Sequence, residues 1–118
     1  MSSTSDIREL TAHEEWQKLI DRRLADWQRN PSQLADDELP APSSETVRLA
    51  IQVAECLRDR GTLPPTRIVP DAHAGIVFER EVGRLFESYR ISANGEVEFC
   101  IFEDCRLVQR TPLSLIDN

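Results

Sequence analysis

The chain has 118 residues and a formal net charge of −7, from 14 lysines and arginines against 21 aspartates and glutamates. This length supports one domain with a core of modest size. The acidic excess opposes the phosphate contacts that nucleic-acid binding requires, so no nucleic-acid partner is expected. No apolar run approaches the roughly 18 residues of a membrane helix, and the N-terminus lacks a signal-peptide pattern. We therefore expect a cytoplasmic protein without membrane contact.

The sequence lacks the motifs that define common catalytic and cofactor sites. It contains no glycine-rich phosphate loop, no G-x-S-x-G, no paired C-x-x-C and no H-E-x-x-H. The three cysteines, Cys56, Cys100 and Cys105, are too few and too scattered for a disulfide framework. Two of them lie at apolar positions of predicted elements, which favours buried thiols over a metal site. No catalytic residue, no metal site and no cofactor is predicted.

The predicted domain organisation is a flexible N-terminus over residues 1–10 and a single α+β domain over residues 11–118. Thr11 and Glu14 form a capping-box pattern in which each satisfies a backbone group of the other. This pattern predicts that the first helix covers residues 12–29.

Two tryptophans lie on one stripe of the first predicted helix. Trp16, Ile20, Leu24 and Trp27 recur at three- to four-residue spacing, as on one face of a helix. Two interpretations stay open. The helix packs on the rest of the domain, or Trp16 and Trp27 are candidate interface residues that anchor a partner protein.

A linker is predicted over residues 31–42, because it contains three prolines and an acidic run at 36–38. The second helix is predicted over residues 44–60, with Ser43 or Ser44 as its N-cap. Its apolar residues extend far round the helix, so it should be the more buried of the two helices.

Residues 66–113 are predicted to form the sheet, as an antiparallel meander of four or five strands. Tight turns are predicted at Val82-Gly83, Asn94-Gly95 and Asp104-Cys105. The fold class is therefore α+β, with two N-terminal helices packed on a four- to five-stranded antiparallel β-meander.

Cross-strand pairs predict the register of the central hairpin. A two-residue loop at Asn94-Gly95 would place Ile91 opposite Glu98. A three-residue loop over 93–95, with Gly95 in the left-handed conformation, gives these pairs: Phe86 with Phe102, Tyr89 with Phe99, Ile91 with Val97 and Arg90 with Glu98. Each favourable pair contributes roughly 0.2–1 kcal/mol, so we predict the three-residue loop.

The sheet is predicted to be apolar on both faces. One face would carry Ile76, Phe78, Phe86, Phe102 and Leu107, and the other Leu85, Tyr89, Ile91, Val97, Phe99, Ile101 and Val108. The turn at Asp104-Cys105 would set Ile101 opposite Val108. An apolar face needs a cover. If both helices share one face, a second copy of the protein would cover the other, with Tyr89 or Phe99 as the interface anchor of a homodimer.

Asp71, His73 and Glu79 are the candidate binding residues. Their side chains have metal-ligand chemistry, and Asp71 could orient His73 as a general base. The sequence does not show that a third ligand converges with Asp71 and His73, so a solvated turn is the competing interpretation.

The second half of the chain resembles a group of small uncharacterised bacterial proteins. The resemblance rests on residues 64–71 (PPTRIVPD), residues 75–79 (GIVFE) and the meander with its Asn-Gly turn. In that group, glycine is expected where Ala74 and Cys105 stand here. The resemblance implies a stand-alone α+β domain and no particular activity.

The leading functional hypothesis is a non-enzymatic interaction module, an adaptor or regulator whose partner is another protein and possibly itself. It rests on the missing catalytic constellation, the two-sided apolar sheet and the paired tryptophans. The first alternative is a small enzyme or ligand-binding protein with a site near Asp71, His73 and Glu79. The second is an acidic inhibitor that mimics nucleic acid.

Overall fold

The computed structural model describes residues 4–29 and 41–113. Within these ranges the protein is α+β, with helices packed on a five-stranded antiparallel sheet. Most of the predicted linker over 31–42 and the end of the predicted domain, 114–118, lie outside the described residues.

A long N-terminal helix opens the described chain. It consists of α1 (Thr4–Lys18), a π-helical segment (Leu19–Leu24) and α2 (Ala25–Arg29). At the end of the π-helical segment the backbone N–H of Ala25 donates to the carbonyl of Ile20, five residues earlier, which is the wider spacing of a π turn.

This helix begins earlier than the sequence predicted. We placed its start at residue 12 and a flexible segment over 1–10, but residues 4–10 are helical. No glycine or proline stands between Thr4 and Thr11 to end a helical run. The capping-box pattern at Thr11 and Glu14 therefore lies inside the helix.

The second predicted helix is α3 (Ser44–Asp59). Ser43 is its N-cap, because the Ser43 hydroxyl accepts a hydrogen bond from the backbone N–H of Thr46 at 3.1 Å. The side chains that α3 buries are Thr46, Val47, Ala50, Val53, Ala54 and Leu57.

Five strands follow in a meander. They are β1 (Arg67–Pro70), β2 (Ile76–Val82), β3 (Leu85–Ile91), β4 (Val97–Glu103) and β5 (Arg106–Leu113). Each strand pairs antiparallel with the next, so the order in the sheet is the order in the chain. This confirms the antiparallel meander.

The structure confirms the predicted register between β3 and β4. The four pairs are Phe86 with Phe102, Tyr89 with Phe99, Arg90 with Glu98 and Ile91 with Val97. Gly95 has a φ of 91°, and its N–H donates to the Ser92 carbonyl, which closes the three-residue loop. The two aromatic pairs are in contact, with ring centroids 6.2 Å apart for Phe86–Phe102 and 4.7 Å apart for Tyr89–Phe99.

The predicted assignment of side chains to the two faces was wrong. The turn between β2 and β3 lies at Gly83-Arg84, not at Val82-Gly83, so Val82 stands opposite Leu85. Opposing residues share a face. Ile76 and Phe78 therefore lie on the same face as Ile91, Tyr89, Val97 and Phe99, whereas Phe86, Phe102 and Leu107 lie on the other.

The predicted pair of Ile101 with Val108 was also wrong. The turn at Asp104-Cys105 sets Phe102 opposite Leu107, but a β-bulge then places Ile101 opposite Gln109. Val108 is the extra residue, and a bulge of this kind interrupts the ladder of an edge strand, which helps to keep that edge from pairing with another chain.

Both helices lie on one face of the sheet, which we call the helix-side face. The buried core joins residues of the N-terminal helix, α3 and this face: Trp16, Ile20, Leu24, Val47, Ala50, Val53, Ala54, Leu57, Ile68, Ile76, Phe78, Ile91 and Val97. The helices cover only part of the face, because Leu85, Phe99 and Ile101 stay half-exposed outside that core.

The opposite side of the sheet, which we call the open face, mixes apolar and charged side chains. Glu79 is 3.4 Å from Arg67, and Glu98 is 2.8 Å from Arg110. Cys100 is buried on this face, Cys56 is half-buried on α3, and Cys105 is exposed in the turn between β4 and β5.

None of the helices among the described residues is both long enough and apolar enough to cross a membrane.

Candidate functional site

Asp71 organises the loop between β1 and β2. Its Oδ1 atom accepts hydrogen bonds from the backbone N–H of His73 at 2.7 Å and of Gly75 at 2.8 Å. The Asp71 N–H in turn donates to the Gly75 carbonyl at 3.0 Å. The carboxylate is therefore engaged in holding a tight turn, and the His73 side chain is exposed.

The three predicted binding residues do not form one site. Glu79 lies on the open face of β2, where it pairs with Arg67 of β1. Within the part of the chain that the structure describes, no group of three His, Cys, Asp or Glu side chains could hold a metal ion. Asp71 and His73 share a turn, and Glu79 faces a different partner.

The segment between α3 and β1, residues 62–65 (Thr-Leu-Pro-Pro), forms a second candidate site, and we call it the ridge. The indole Nε1 of Trp16 donates to the Thr62 carbonyl at 2.7 Å, and Nη1 of Arg80 donates to the Pro64 carbonyl at 2.9 Å. Two prolines and two side-chain hydrogen bonds fix the conformation of this segment.

One side of the ridge borders a cavity of about 320 Å³ between the sheet and the N-terminal helix, which we call the aromatic pocket. Its lining residues are Trp16, Thr62, Leu63, Pro65, Phe78, Arg80, Val82, Glu87 and Tyr89. The indole of Trp16 meets the ring of Phe78 edge to face, with centroids 5.9 Å apart. Leu63 and Val82 stand at 51% and 43% exposure, so apolar surface remains open to an incoming group.

Tyr89 links this pocket to the half-exposed part of the helix-side face. Its ring packs on the core and stacks against Phe99 on the neighbouring strand. Burial raises the pKa of the Tyr89 hydroxyl, repulsion by the Glu87 carboxylate adds to the rise, and Arg60 lowers it. Tyr89 therefore stays neutral at physiological pH and acts as an aromatic wall.

The ridge also borders a second cavity, of about 360 Å³, which we call the basic pocket. Its lining residues are Glu15, Lys18, Leu19, Arg22, Arg23, Pro64 and Pro65. Pro65 lines both pockets, so the two cavities adjoin at the ridge. The π-helical segment supplies the cations Arg22 and Arg23, and Lys18 precedes it by one position.

The two tryptophans take different places. Trp16 is 1% exposed and belongs to the core, so it packs on the sheet and does not present its ring to a partner as an exposed anchor would. Trp27 is half-buried against the same core. Tyr89 and Phe99, the other interface candidates, lie on the helix-side face, not on the face that the helices leave open.

Sequence reasoning missed the ridge and the basic pocket. Pro64 and Pro65 do indicate a stiff segment between α3 and β1, but nothing in the sequence indicates that it borders a pocket. Lys18, Arg22 and Arg23 are unremarkable on a helical wheel. They become a pocket only because the ridge folds against them.

Comparisons with protein-family models, with curated proteins and with solved structures find no match to this chain.

Proposed function

We propose that the protein is a non-enzymatic interaction module, an adaptor or regulator that binds a segment of another protein at the ridge 62–65. The observation that carries the proposal is the aromatic pocket. The half-buried ring of Tyr89, backed by the buried Trp16 and Phe78, forms an aromatic wall. Such a wall, with a braced ridge and exposed apolar rim residues, is the kind of feature that makes a preformed anchor site at a protein interface.

The size of the pocket supports a side-chain anchor. Sites that enclose a whole small molecule typically measure about 300–1,000 Å³ and bury most of the ligand. The aromatic pocket, at about 320 Å³, lies at the lower end of that range. It suits one large apolar side chain whose main chain passes over the ridge.

Rigidity supports the same proposal. Trp16 and Arg80 hold the ridge by hydrogen bonds from the helix and from β2. A site that is ordered before binding loses less conformational entropy when its partner arrives. A short peptide segment can then bind with useful affinity although it buries a small area.

A small-ligand protein is the second candidate, because Arg80 and Glu87 place polar groups beside the aromatic walls of the same pocket. An enzyme at Asp71, His73 and Glu79 has less support, since those residues serve a turn and an ion pair. The nucleic-acid mimic also has less support, because Glu79 and Glu98 on the open face are paired with arginines.

A library of random twelve-residue peptides displayed on phage tests the proposal. We expect the full chain to select peptides that contain a large apolar residue. Leu63→Asp and Val82→Glu place a carboxylate at the rim of the pocket, so each should weaken binding of the selected peptides at least about tenfold. Both residues are exposed, and circular dichroism should show an unchanged fold.

Val108→Glu is the matched control, because Val108 is 52% exposed but does not line the pocket. It should leave peptide binding unchanged. The proposal fails if no peptide is selected, or if Val108→Glu weakens binding as much as Val82→Glu does. A drug-like fragment that stabilises the protein and is lost in Val82→Glu, with no peptide selected, would favour the small-ligand candidate.

Self-association through the same surface is a further prediction. Tyr89 and Phe99 continue the aromatic pocket along β3 and β4, beyond the area that the helices cover. We expect sedimentation at high micromolar concentration to show a homodimer, and Phe99→Glu to give a folded monomer. A single species of 13.5 kDa for the wild-type protein would contradict the dimer and leave the hetero-partner proposal in place.

A further inference from the structure

We propose that the partner segment is acidic next to its apolar anchor, and that its carboxylates bind in the basic pocket while the anchor fills the aromatic pocket. This inference rests on the proposed function and adds the chemical class of the partner. It is carried by two separate pockets that adjoin at the ridge, with Pro65 common to both.

The charges of the basic pocket are the first argument. Lys18, Arg22 and Arg23 are exposed, and none of them forms an ion pair with another described residue. Lys18 and Arg22 are four residues apart, and like charges at that spacing repel each other along a helix. Among the residues that the structure describes, Glu15 is the only carboxylate that lines the pocket. This positive cluster is a local exception in a protein of net charge −7.

Two arginines of the open face, Arg67 and Arg110, behave differently. Arg67 pairs with Glu79 at 3.4 Å and Arg110 pairs with Glu98 at 2.8 Å. Those arginines satisfy carboxylates of their own sheet, so they offer little to a ligand. The cations beside the ridge form a cluster at a pocket that an external anion can neutralise, and complementary charge of this kind guides an encounter and sets its orientation.

The ridge favours an extended peptide over a small anion. A small amphiphile binds where its charged head and apolar tail share one continuous cavity. Here the apolar and the basic cavities are separate, and Pro65 is the one lining residue that they share. An extended chain advances about 3.3 Å per residue, so a segment can cross the ridge with its acids and its anchor a few residues apart.

The peptides selected from the phage library give the first readout. We expect them to combine one large apolar residue with two or more aspartates or glutamates a few positions away. Fluorescence anisotropy then compares the best peptide with a version in which every acid is the matching amide. The amide version should bind about tenfold more weakly, and rising salt should narrow that difference as it screens the charges.

Variants of the pocket give the second readout. The double substitution Arg22→Glu with Arg23→Glu should weaken the acidic peptide at least about tenfold and leave the amide peptide within about twofold. Arg48→Glu with Arg106→Glu is the matched control, because it changes the net charge equally at exposed arginines outside both pockets. This control should change the binding of the acidic peptide by no more than about twofold.

The outcomes separate the inference from the proposed function. If the selected peptides carry no acids but still depend on Val82, the interaction module stands and the acidic partner is wrong. If the control double variant weakens binding as much as the pocket double variant, the effect is one of net charge and the inference is wrong. If decanoate displaces the acidic peptide at micromolar concentration, a small anion is the ligand and the inference is again overturned. Failure to select any peptide overturns both.

Discussion

Trp16→Ala should lower the free energy of unfolding by about 3–5 kcal/mol, the range for removing a large aromatic side chain from a core. Trp16 is 1% exposed, its ring contacts Phe78, and its indole N–H holds the Thr62 carbonyl at 2.7 Å. The substitution thus opens a cavity between helix and sheet and releases one end of the ridge. A small domain has only about 5–15 kcal/mol of stability, so the variant should be close to unfolding at 37 °C.

Urea unfolding followed by far-ultraviolet circular dichroism measures this effect without relying on the deleted fluorophore. Trp27→Ala is the matched control, because Trp27 lies on the same helix but is only half-buried. Trp27→Ala should lower the free energy of unfolding by less than half as much as Trp16→Ala does. Trp16→Phe keeps an apolar ring but loses the hydrogen bond, so its loss of stability should lie between those of the two alanine variants. Equal costs for the two alanine variants would show that Trp16 is not the central core contact of the N-terminal helix.

The parts of the fold that could be predicted are those fixed by neighbours in sequence. The β3–β4 register follows from a loop that needs a left-handed residue at Gly95 and from pairs such as Phe86–Phe102, and both are local information. The faces of Ile76 and Phe78 were predicted wrongly, although the position of the turn does not decide them. A two-residue turn at Val82-Gly83 or at Gly83-Arg84 pairs even-numbered residues of β2 with odd-numbered residues of β3, so Phe78 shares a face with Tyr89 and not with Phe86.

The candidate site could not be predicted because it depends on contacts between elements that are distant in sequence. Pocket walls come from α1, the π-helical segment, the ridge and β2, which are far apart in the chain. Trp16 was recognised as an apolar helix position, but its hydrogen bond to Thr62 joins residues 46 positions apart. Composition and periodicity describe each element singly and do not show which elements meet.

Ala74 and Cys105, neither of them glycine, have the left-handed backbone conformation that glycine favours. Ala74 has a φ of 63° and Cys105 a φ of 66°, a region that glycine enters without the steric cost borne by a residue with Cβ. Both are the positions where the sequence resemblance led us to expect glycine. The substitution Ala74→Gly is therefore compatible with the backbone of this loop.

Gly75→Ala should lower the free energy of unfolding by about 1–3 kcal/mol, as expected for a group inserted into closely packed surroundings. A Cβ on Gly75 would lie 2.6 Å from the Ile91 carbonyl oxygen and 2.6 Å from Oδ2 of Asp71. The carbonyl belongs to the backbone of β3 and cannot rotate away. The added methyl group would push the Asp71 carboxylate from the turn, whose hydrogen bonds to the N–H groups of His73 and Gly75 would then weaken.

Ala74→Gly is the matched control for this prediction, since it alters the neighbouring residue of the same loop in the opposite sense. It relieves a left-handed alanine, worth about 1–2 kcal/mol, and offsets part of that gain by a more flexible unfolded chain, about 0.4–1 kcal/mol. The variant should therefore be equal to the wild-type protein or slightly more stable. Thermal or urea unfolding of the two variants and of the wild-type protein measures whether each substitution lowers or raises the free energy of unfolding. If Gly75→Ala is as stable as Ala74→Gly, the close approach of Gly75 to Ile91 does not restrict this position.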